Sequence, residues 1–202
     1  MKKNIVKIQV FLLVIAVLTV SCASGGAKTE QAAPGIKYSW DFEDAGAGTA
    51  GWFLVPDEYW DFHGTAELSR DASTFGDGKL RLDIDFSKDA GSEWSEPKMK
   101  MEFNPPLEGI RTFTFDILFN PSFSKGGHFK SKIIVSNDKK QLADNGSDAI
   151  VALDELPNGF VKGTVKLRIG SISSPVNNML FSIAGYKTNY KGPIFIDNMS
   201  WE

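Results

Sequence analysis

The fold is decided by Gly192-Pro193-Ile194-Phe195-Ile196-Asp197-Asn198, a stretch close to the C-terminus of this 202-residue chain. It places a short apolar run between turn-forming residues, a pattern typical of a β-strand buried in a sheet. The chain ends soon afterwards, at Trp201-Glu202, so we expect a fold that closes with a strand. Asp197 follows the apolar run directly, which would leave its carboxylate free at the end of that strand.

A two-residue period recurs along most of the remaining chain. Apolar and polar residues alternate from Lys79 to Phe86 and again from Thr112 to Phe119, as in half-buried strands. Further candidate strands are Ser39–Glu43, Thr65–Ser69, Lys98–Phe103, Phe129–Ser136, Val161–Ile169, Leu180–Tyr186 and Pro193–Met199. Turn-forming sequences, among them Asn104-Pro105-Pro106 and Asn145-Gly146, separate these candidates. About ten short strands predict an all-β fold, a two-sheet β-sandwich of the jelly-roll type, with at most a short helical turn within Lys140–Leu156.

Residues 1–22 have the composition of a lipoprotein signal peptide. Basic residues precede an apolar run from Val10 to Val20, which is too short for a membrane-spanning helix. The run ends at Cys22, the only cysteine of the chain, in a sequence that resembles a bacterial lipobox, although Thr19 stands where leucine is usual. We therefore expect export, acylation of Cys22 and a lipid-anchored position in the bacterial cell envelope. The alternative is an ordinary signal peptide with a chance cysteine.

The rest of the chain divides into a linker and one domain. Residues 23–37 are mostly small and polar, which predicts a flexible linker, and residues 38–202 are enough for one domain with a sizeable core. The net charge of −3 comes without a basic stripe, so nucleic acid is not an expected partner. Contact with the membrane is expected through the lipid anchor only.

Motifs that would indicate catalysis are weak in this sequence. Gly46-Ala47-Gly48-Thr49-Ala50-Gly51 matches a dinucleotide fingerprint in letters, but the residues that follow cannot open the helix that receives a pyrophosphate. The two histidines, His63 and His128, have no nucleophile motif to serve. A glycosidase needs only two suitably spaced carboxylates, and Glu93 or Glu96 could supply an acid. Charged surface residues are the favoured interpretation of both.

The five tryptophans of the chain stand in two kinds of surroundings. Trp40 and Trp52 lie among apolar residues, and we expect both to be packed. Trp60 and Trp94 are flanked by acidic residues or serine, which favours exposure. A flat indole with polar neighbours suits the apolar face and polar rim of a sugar ring. The alternative is that these two side chains anchor loops and are partly buried.

Three carboxylates suggest a cation site. Asp41 and Glu43 fall on one face of the first candidate strand, and first and last strands are commonly neighbours in a jelly roll, which would bring Asp197 near them. Oxygen ligands without cysteine or histidine suit Ca²⁺. The expected cofactor is therefore a structural calcium ion that fixes the chain ends; the alternative is plain surface acids.

Taken together, these segments resemble the family 27 carbohydrate-binding modules, which accompany bacterial mannanases. The likeness is carried by Gly76–Leu82, Ser92-Glu93-Trp94-Ser95-Glu96 and Tyr190–Asn198, in family order and at compatible spacing. The resemblance implies a β-jelly roll, a structural calcium ion, no catalysis, and binding of β-1,4-linked mannan, glucomannan or galactomannan.

The resemblance also implies site residues. Two of the three tryptophans that line the family's groove fall on Trp60 and Trp94, whereas the third position, near Asn137, has no aromatic residue. Lys130 and Lys132 alternate on one face of a strand as plausible donors to sugar hydroxyls, and His63 and Asn137 are weaker candidates of the same kind. The resulting hypothesis is a lipid-anchored, non-catalytic binder of a mannan-type polysaccharide, serving a neighbouring mannanase or transporter. The alternatives are a small hydrolase or lyase on a β-sandwich, or a structural envelope lipoprotein that binds a protein partner.

Overall fold

A computed structural model of the chain describes residues 38–56, 62–138, 140–151 and 154–202. Within these residues, twelve β-strands form two antiparallel sheets, which confirms the predicted two-sheet β-sandwich. The strands are β1 (Tyr38–Trp40), β2 (Phe53–Leu54), β3 (Thr65–Asp71), β4 (Lys79–Asp85), β5 (Lys98–Leu107), β6 (Thr112–Phe119), β7 (His128–Ser136), β8 (Gln141–Gly146), β9 (Asp154–Glu155), β10 (Val161–Arg168), β11 (Val176–Tyr186) and β12 (Lys191–Trp201). No helix in the described ranges is both long and apolar enough to cross a membrane.

The last strand organises the first sheet, as its sequence suggests. The strand order of this sheet is β3-β4-β12-β6-β10-β9, and β1 also pairs with β12. Tyr38 lies opposite Trp201, so the first and last strands are neighbours, as expected. The second sheet has the order β2-β5-β11-β7-β8, with β11 at its centre. The first strand of the domain is therefore hydrogen-bonded to the last strand, β12, which lies between β4 and β6 in the first sheet.

The core between the sheets comes from the alternating apolar residues. Leu80, Leu82 and Ile84 of β4 are buried, as the period of two requires. Aromatic rings dominate the centre, where Phe113 lies 5.0 Å from Trp201 and Phe115 lies 4.7 Å from Phe181. Trp40 and Trp52 are 9% and 2% exposed, which confirms that both are packed.

The two sheets differ in what covers their outer faces. On the first sheet, Phe195 of β12 packs beneath Phe75 and Phe160, with ring centroids 5.1 and 5.6 Å away. Leu118 and Leu156 complete this small apolar cluster, which covers part of that outer face. The outer face of the second sheet instead carries lysine, serine, tyrosine and glutamate side chains, and the candidate site lies on this face.

Three features of the secondary structure differ from the sequence-based expectation. Asn104-Pro105-Pro106 does not make a turn but continues β5 to Leu107, at the end of the strand where proline's missing N–H is tolerated. In the described part of residues 140–156 there is no helical turn, because Gln141–Gly146 pairs with the edge of β7 instead. The first strand ends at Trp40, so Asp41 and Glu43 lie beyond it.

Acid sensitivity is expected to depend on Asp71, which lies at the end of β3 and is nearly buried. Burial alone would raise the pKa of Asp71, but hydrogen bonds from Thr74, Arg81 and Ser73 lower it from 3.8 to about 2. Because the folded-state pKa is depressed, this stabilisation is present above pH 4 and is lost as the pH falls through about 2.

Asp71→Asn is therefore expected to lower the free energy of unfolding at pH 7 by about 2 kcal/mol, since each pKa unit corresponds to about 1.4 kcal/mol. Urea unfolding measured from pH 7 to pH 2 checks this. The difference between the variant and the natural protein should shrink on acidification, and a difference that is constant with pH would contradict the assignment.

Candidate carbohydrate-binding face

The candidate site is built on the outer face of the second sheet. Successive strand residues point to opposite faces, and the inward set on β11 includes Phe181 and Ile183. Ser182, Ala184 and Tyr186 of the same strand therefore face outward. The register places Ser182 between Lys98 and Lys132, and Ala184 beside Lys130. Each outward residue of β11 thus forms a row with its neighbours across the sheet.

Trp94 joins this face through a backbone bridge. Ser95 and Gly185 exchange two backbone hydrogen bonds of 3.1 and 2.8 Å. In this antiparallel pairing Trp94 lies opposite Tyr186, which lies opposite His128 on β7. The indole of Trp94 is 39% exposed, and the rings of Tyr186 and His128 are stacked with centroids 4.8 Å apart. A row of three rings therefore crosses one end of the sheet.

The segment around Trp94 is held by buried polar contacts. The Ser95 hydroxyl donates a 2.6 Å hydrogen bond to Asp89, which is itself buried. Asp89 also accepts a hydrogen bond from the backbone N–H of His63 at 3.1 Å, and its other oxygen lies 3.2 Å from the His63 imidazole. His63 is thereby brought to the same segment as Trp94, and its side chain is 70% exposed.

The two candidate acids have different surroundings. Glu96 is buried, with one carboxylate oxygen 2.5 Å from Lys98 Nζ and the other accepting a 2.6 Å hydrogen bond from the Ser182 hydroxyl. This arrangement fastens the Trp94 segment to the sheet. Glu93 is exposed and lies 3.4 Å from Lys187 Nζ. Glu93 is therefore a charged surface residue, as favoured from the sequence, whereas Glu96 is not, because it is buried in an ion pair with Lys98.

Lys130 and Lys132 lie side by side along the face. Their neighbours on the central strand are Ala184 and Ser182, whose short side chains are buried. Lys130 Nζ lies 5.1 Å from the centroid of the Tyr186 ring, within the range of a cation–π contact. Both lysines are half-buried.

Asn137 is not brought to the same place as the other predicted residues. It follows β7, a strand of nine residues that starts in the aromatic row. At about 3.3 Å per strand residue, Asn137 lies roughly 30 Å from that row. Its side-chain oxygen accepts a 3.0 Å hydrogen bond from the backbone N–H of Lys140, which closes a local turn. Trp60 and Cys22 lie outside the described residues.

The three predicted calcium ligands do not come together. No group of three or more acidic, histidine or cysteine side chains in the described ranges could hold a metal ion. Asp41 accepts a hydrogen bond from the Glu43 N–H, and the Glu43 carboxylate accepts one from the Gly78 N–H at 3.1 Å. Asp197 Oδ2 lies 2.6 Å from Lys79 Nζ.

Two protein cations lie beside the residues predicted to bind calcium. Lys79 is buried between Asp197 and Asp77; burial alone would lower the pKa of Lys79, but these two carboxylates raise it. The Arg70 guanidinium donates hydrogen bonds of 2.6 and 2.9 Å to the carbonyl oxygens of Phe42 and Glu43. A Ca²⁺ ion would meet like charge there, so the residues present do not fit a calcium site built from Asp41, Glu43 and Asp197.

Because Lys79 already neutralises Asp197, the thermal unfolding midpoint should not depend on calcium. Adding millimolar CaCl₂ or a chelator is expected to shift it by less than about 1 °C, since a ligand stabilises a fold only by binding it. Differential scanning calorimetry measures this directly. A rise of several degrees with CaCl₂ that is reversed by the chelator would contradict the assignment.

Tyr186 and His128 are the residues of the aromatic row that sequence reasoning missed. The alternation of β11 identifies Tyr186 as outward-facing together with Leu180 and Ser182, and that signal was available. Its placement opposite Trp94 could not be inferred, because the bridge between Ser95 and Gly185 joins segments far apart in the chain.

Comparison with known proteins places this geometry in context. The family model described as carbohydrate binding module 27 matches residues 57–201. A search of curated proteins finds no match.

Three solved structures share the fold. TmCBM27, described as a mannan-recognising module, is 16% identical with a TM-score of 0.60, over 82% of this chain and 95% of that one. CBM27-1 of Caldicellulosiruptor saccharolyticus, solved with mannohexaose, is 18% identical with a TM-score of 0.56, over 80% and 95% of the two chains. A CBM28 module specific for non-crystalline cellulose is 16% identical with a TM-score of 0.57, over 76% and 88%.

At these identities the solved structures establish a shared fold. The family model covers most of the chain, including the Trp94 segment and the strands β7 and β11 of the candidate face. The predicted resemblance is confirmed: the chain belongs to carbohydrate-binding module family 27.

Proposed function

We propose that this domain binds a β-1,4-linked mannan-type polysaccharide on the outer face of its second sheet, without cleaving it. The observation that carries the proposal is the exposed indole of Trp94 in a row with Tyr186 and His128. Indole and phenol rings can stack on the apolar face of a pyranose, and the neighbouring polar side chains can bind its hydroxyls. Mannan recognition by TmCBM27 and the mannohexaose complex of the Caldicellulosiruptor module support the choice of glycan.

The expected affinity is modest. One stacked ring hides roughly 50–80 Å² of apolar surface, which contributes about 1–2 kcal/mol. Each hydrogen bond to a sugar hydroxyl contributes about 0.5–1.5 kcal/mol net. Two stacks and a few hydrogen bonds correspond to dissociation constants between about 10 μM and 1 mM.

The proposal also covers where the domain works. The signal-like sequence of residues 1–22 and the position of Cys22 support acylation and anchoring in the bacterial cell envelope. A lipid-anchored binding domain would hold polysaccharide near a mannanase or a transporter. Metabolic labelling with a fatty-acid analogue, compared between the natural protein and Cys22→Ser, tests the anchor.

Affinity electrophoresis of the full-length protein tests the binding function. Gels containing galactomannan, glucomannan or β-glucan are compared with a gel that contains no polysaccharide. Retardation in the mannan gels is expected, and equal migration in all gels would contradict the proposal. Release of reducing ends from mannan would instead favour a hydrolase. Binding to a protein partner, with no binding to any sugar on a glycan array, would favour a structural lipoprotein.

A further inference from the structure

Two lysines on the binding face differ from the other lysines of the domain. The lysines of this sheet and its rim are mostly ion-paired: Lys98 with Glu96, Lys100 with Glu102, and Lys187 with Glu93. Among the described lysines that are not fully exposed, only Lys130 and Lys132 have no carboxylate partner. Both are half-buried, and both lie beside the central strand on the face that carries the candidate site.

These two ammonium groups without a carboxylate partner favour an anionic ligand beside them. Hydrogen bonds between an ammonium group and an anion are charge-assisted and stronger than neutral ones. Within the described residues, Lys130 Nζ contacts the electron-rich face of Tyr186, at 5.1 Å from the ring centroid. The two lysines are two residues apart on β7, which separates them by roughly 7 Å along the strand. Asp144 on β8 lies opposite Ile134, is exposed and has no ion pair with another described residue.

We propose that the natural ligand is an acidic glycan, a β-1,4-linked polymer of manno configuration whose carboxylates bind Lys130 and Lys132. This rests on the proposed function, because it takes the aromatic row as the platform for the sugar rings. Oxidation of C6 to a carboxylate leaves the apolar face of the pyranose intact for stacking on Trp94. It adds an anion that can form charge-assisted hydrogen bonds with the lysines, which are stronger than neutral ones.

Two ligands with the same backbone separate this inference from the proposed function. Calorimetric titration of the full-length protein uses mannohexaose and a β-1,4-linked mannuronate hexamer, each at 25 mM and 250 mM NaCl. The mannuronate is expected to bind at least tenfold more tightly than mannohexaose at low salt. Its affinity should fall at high salt because ions screen the contact, and mannohexaose affinity should change little.

Variants assign the effect to the two lysines. K130Q/K132Q is expected to lose at least tenfold in affinity for the mannuronate and to lose its salt dependence, whereas K130R/K132R keeps both. K166Q/K191Q is the matched control, because it removes the same charge from the other sheet and should change neither.

The outcomes separate the failure of this inference from the failure of the proposed function. Binding of mannohexaose but not of the mannuronate would overturn the inference and leave the proposed function standing. Mannuronate binding that K130Q/K132Q does not weaken, although circular dichroism shows the variant to be folded, would also overturn the inference. Binding of neither ligand would overturn both.

Discussion

Trp94→Ala is expected to lower the affinity for mannan at least tenfold and to abolish measurable retardation in mannan gels. The stack on one sugar ring contributes about 1–2 kcal/mol, and a loss of about 1.4 kcal/mol corresponds to a tenfold change in the dissociation constant. The starting affinity is modest, so this loss is enough to take binding below detection. The free energy of unfolding should change by less than about 1 kcal/mol, because the indole is 39% exposed.

The control for this variant is another exposed aromatic residue. Phe123 is 40% exposed and lies against Phe160 and Tyr190, on the side of the first sheet. Phe123→Ala is therefore expected to keep mannan binding. Trp60→Ala tests the second indole that the family resemblance indicates. Unchanged retention of Trp94→Ala in mannan gels, together with a native thermal midpoint, would remove the basis for placing the ligand on this face.

Lys98→Met is expected to lower the free energy of unfolding by about 3 kcal/mol, because removing one partner of a buried ion pair leaves an uncompensated charge. The remaining charge is Glu96, which is 8% exposed and, within the described part of the chain, still accepts a hydrogen bond from the Ser182 hydroxyl. Mannan affinity should fall as well, since Glu96 fastens the segment that carries Trp94. Urea unfolding and affinity electrophoresis measure the two effects separately.

The matched variant for this prediction removes the charge of Glu96 as well. Lys98→Met/Glu96→Gln leaves no uncompensated charge at position 96, and an amide can still bond to Ser182, so most of the lost stability is expected to return. Equal stability of the single and the double variant would show that the methionine disturbs packing. It would also show that the ion pair is not what holds the Trp94 segment in place.

The sequence was a sound guide to features that depend on neighbours along the chain. The alternation from Lys79 to Phe86 correctly predicted β4, and the apolar surroundings of Trp40 and Trp52 correctly predicted their burial. The sequence was a poorer guide where pairing with a free strand edge decides whether a segment becomes a strand. Gln141–Gly146 has weak strand character but joins β7, because that edge has backbone groups to pair.

The site shows the same division. Exposure of Trp94 follows from its polar neighbours, and the outward direction of Lys130 and Lys132 follows from the period of two. The contacts of Asp197 could not be predicted in this way. Its position near the first strand followed from the jelly-roll topology, but its partner is Lys79, which is 118 positions away in the chain.

By itself, therefore, the sequence determined that this protein is an all-β sandwich closed by its last strand, with tryptophans of two kinds and a likeness to a carbohydrate-binding family. The tertiary structure alone decided that Trp94 lies opposite Tyr186, that Glu96 binds Lys98 and Ser182, and that Asp197 pairs with Lys79. The reason is physical. Burial follows from the period of apolar residues along one strand, whereas ion pairs and ring rows depend on the register between strands, which only the packed sheets establish.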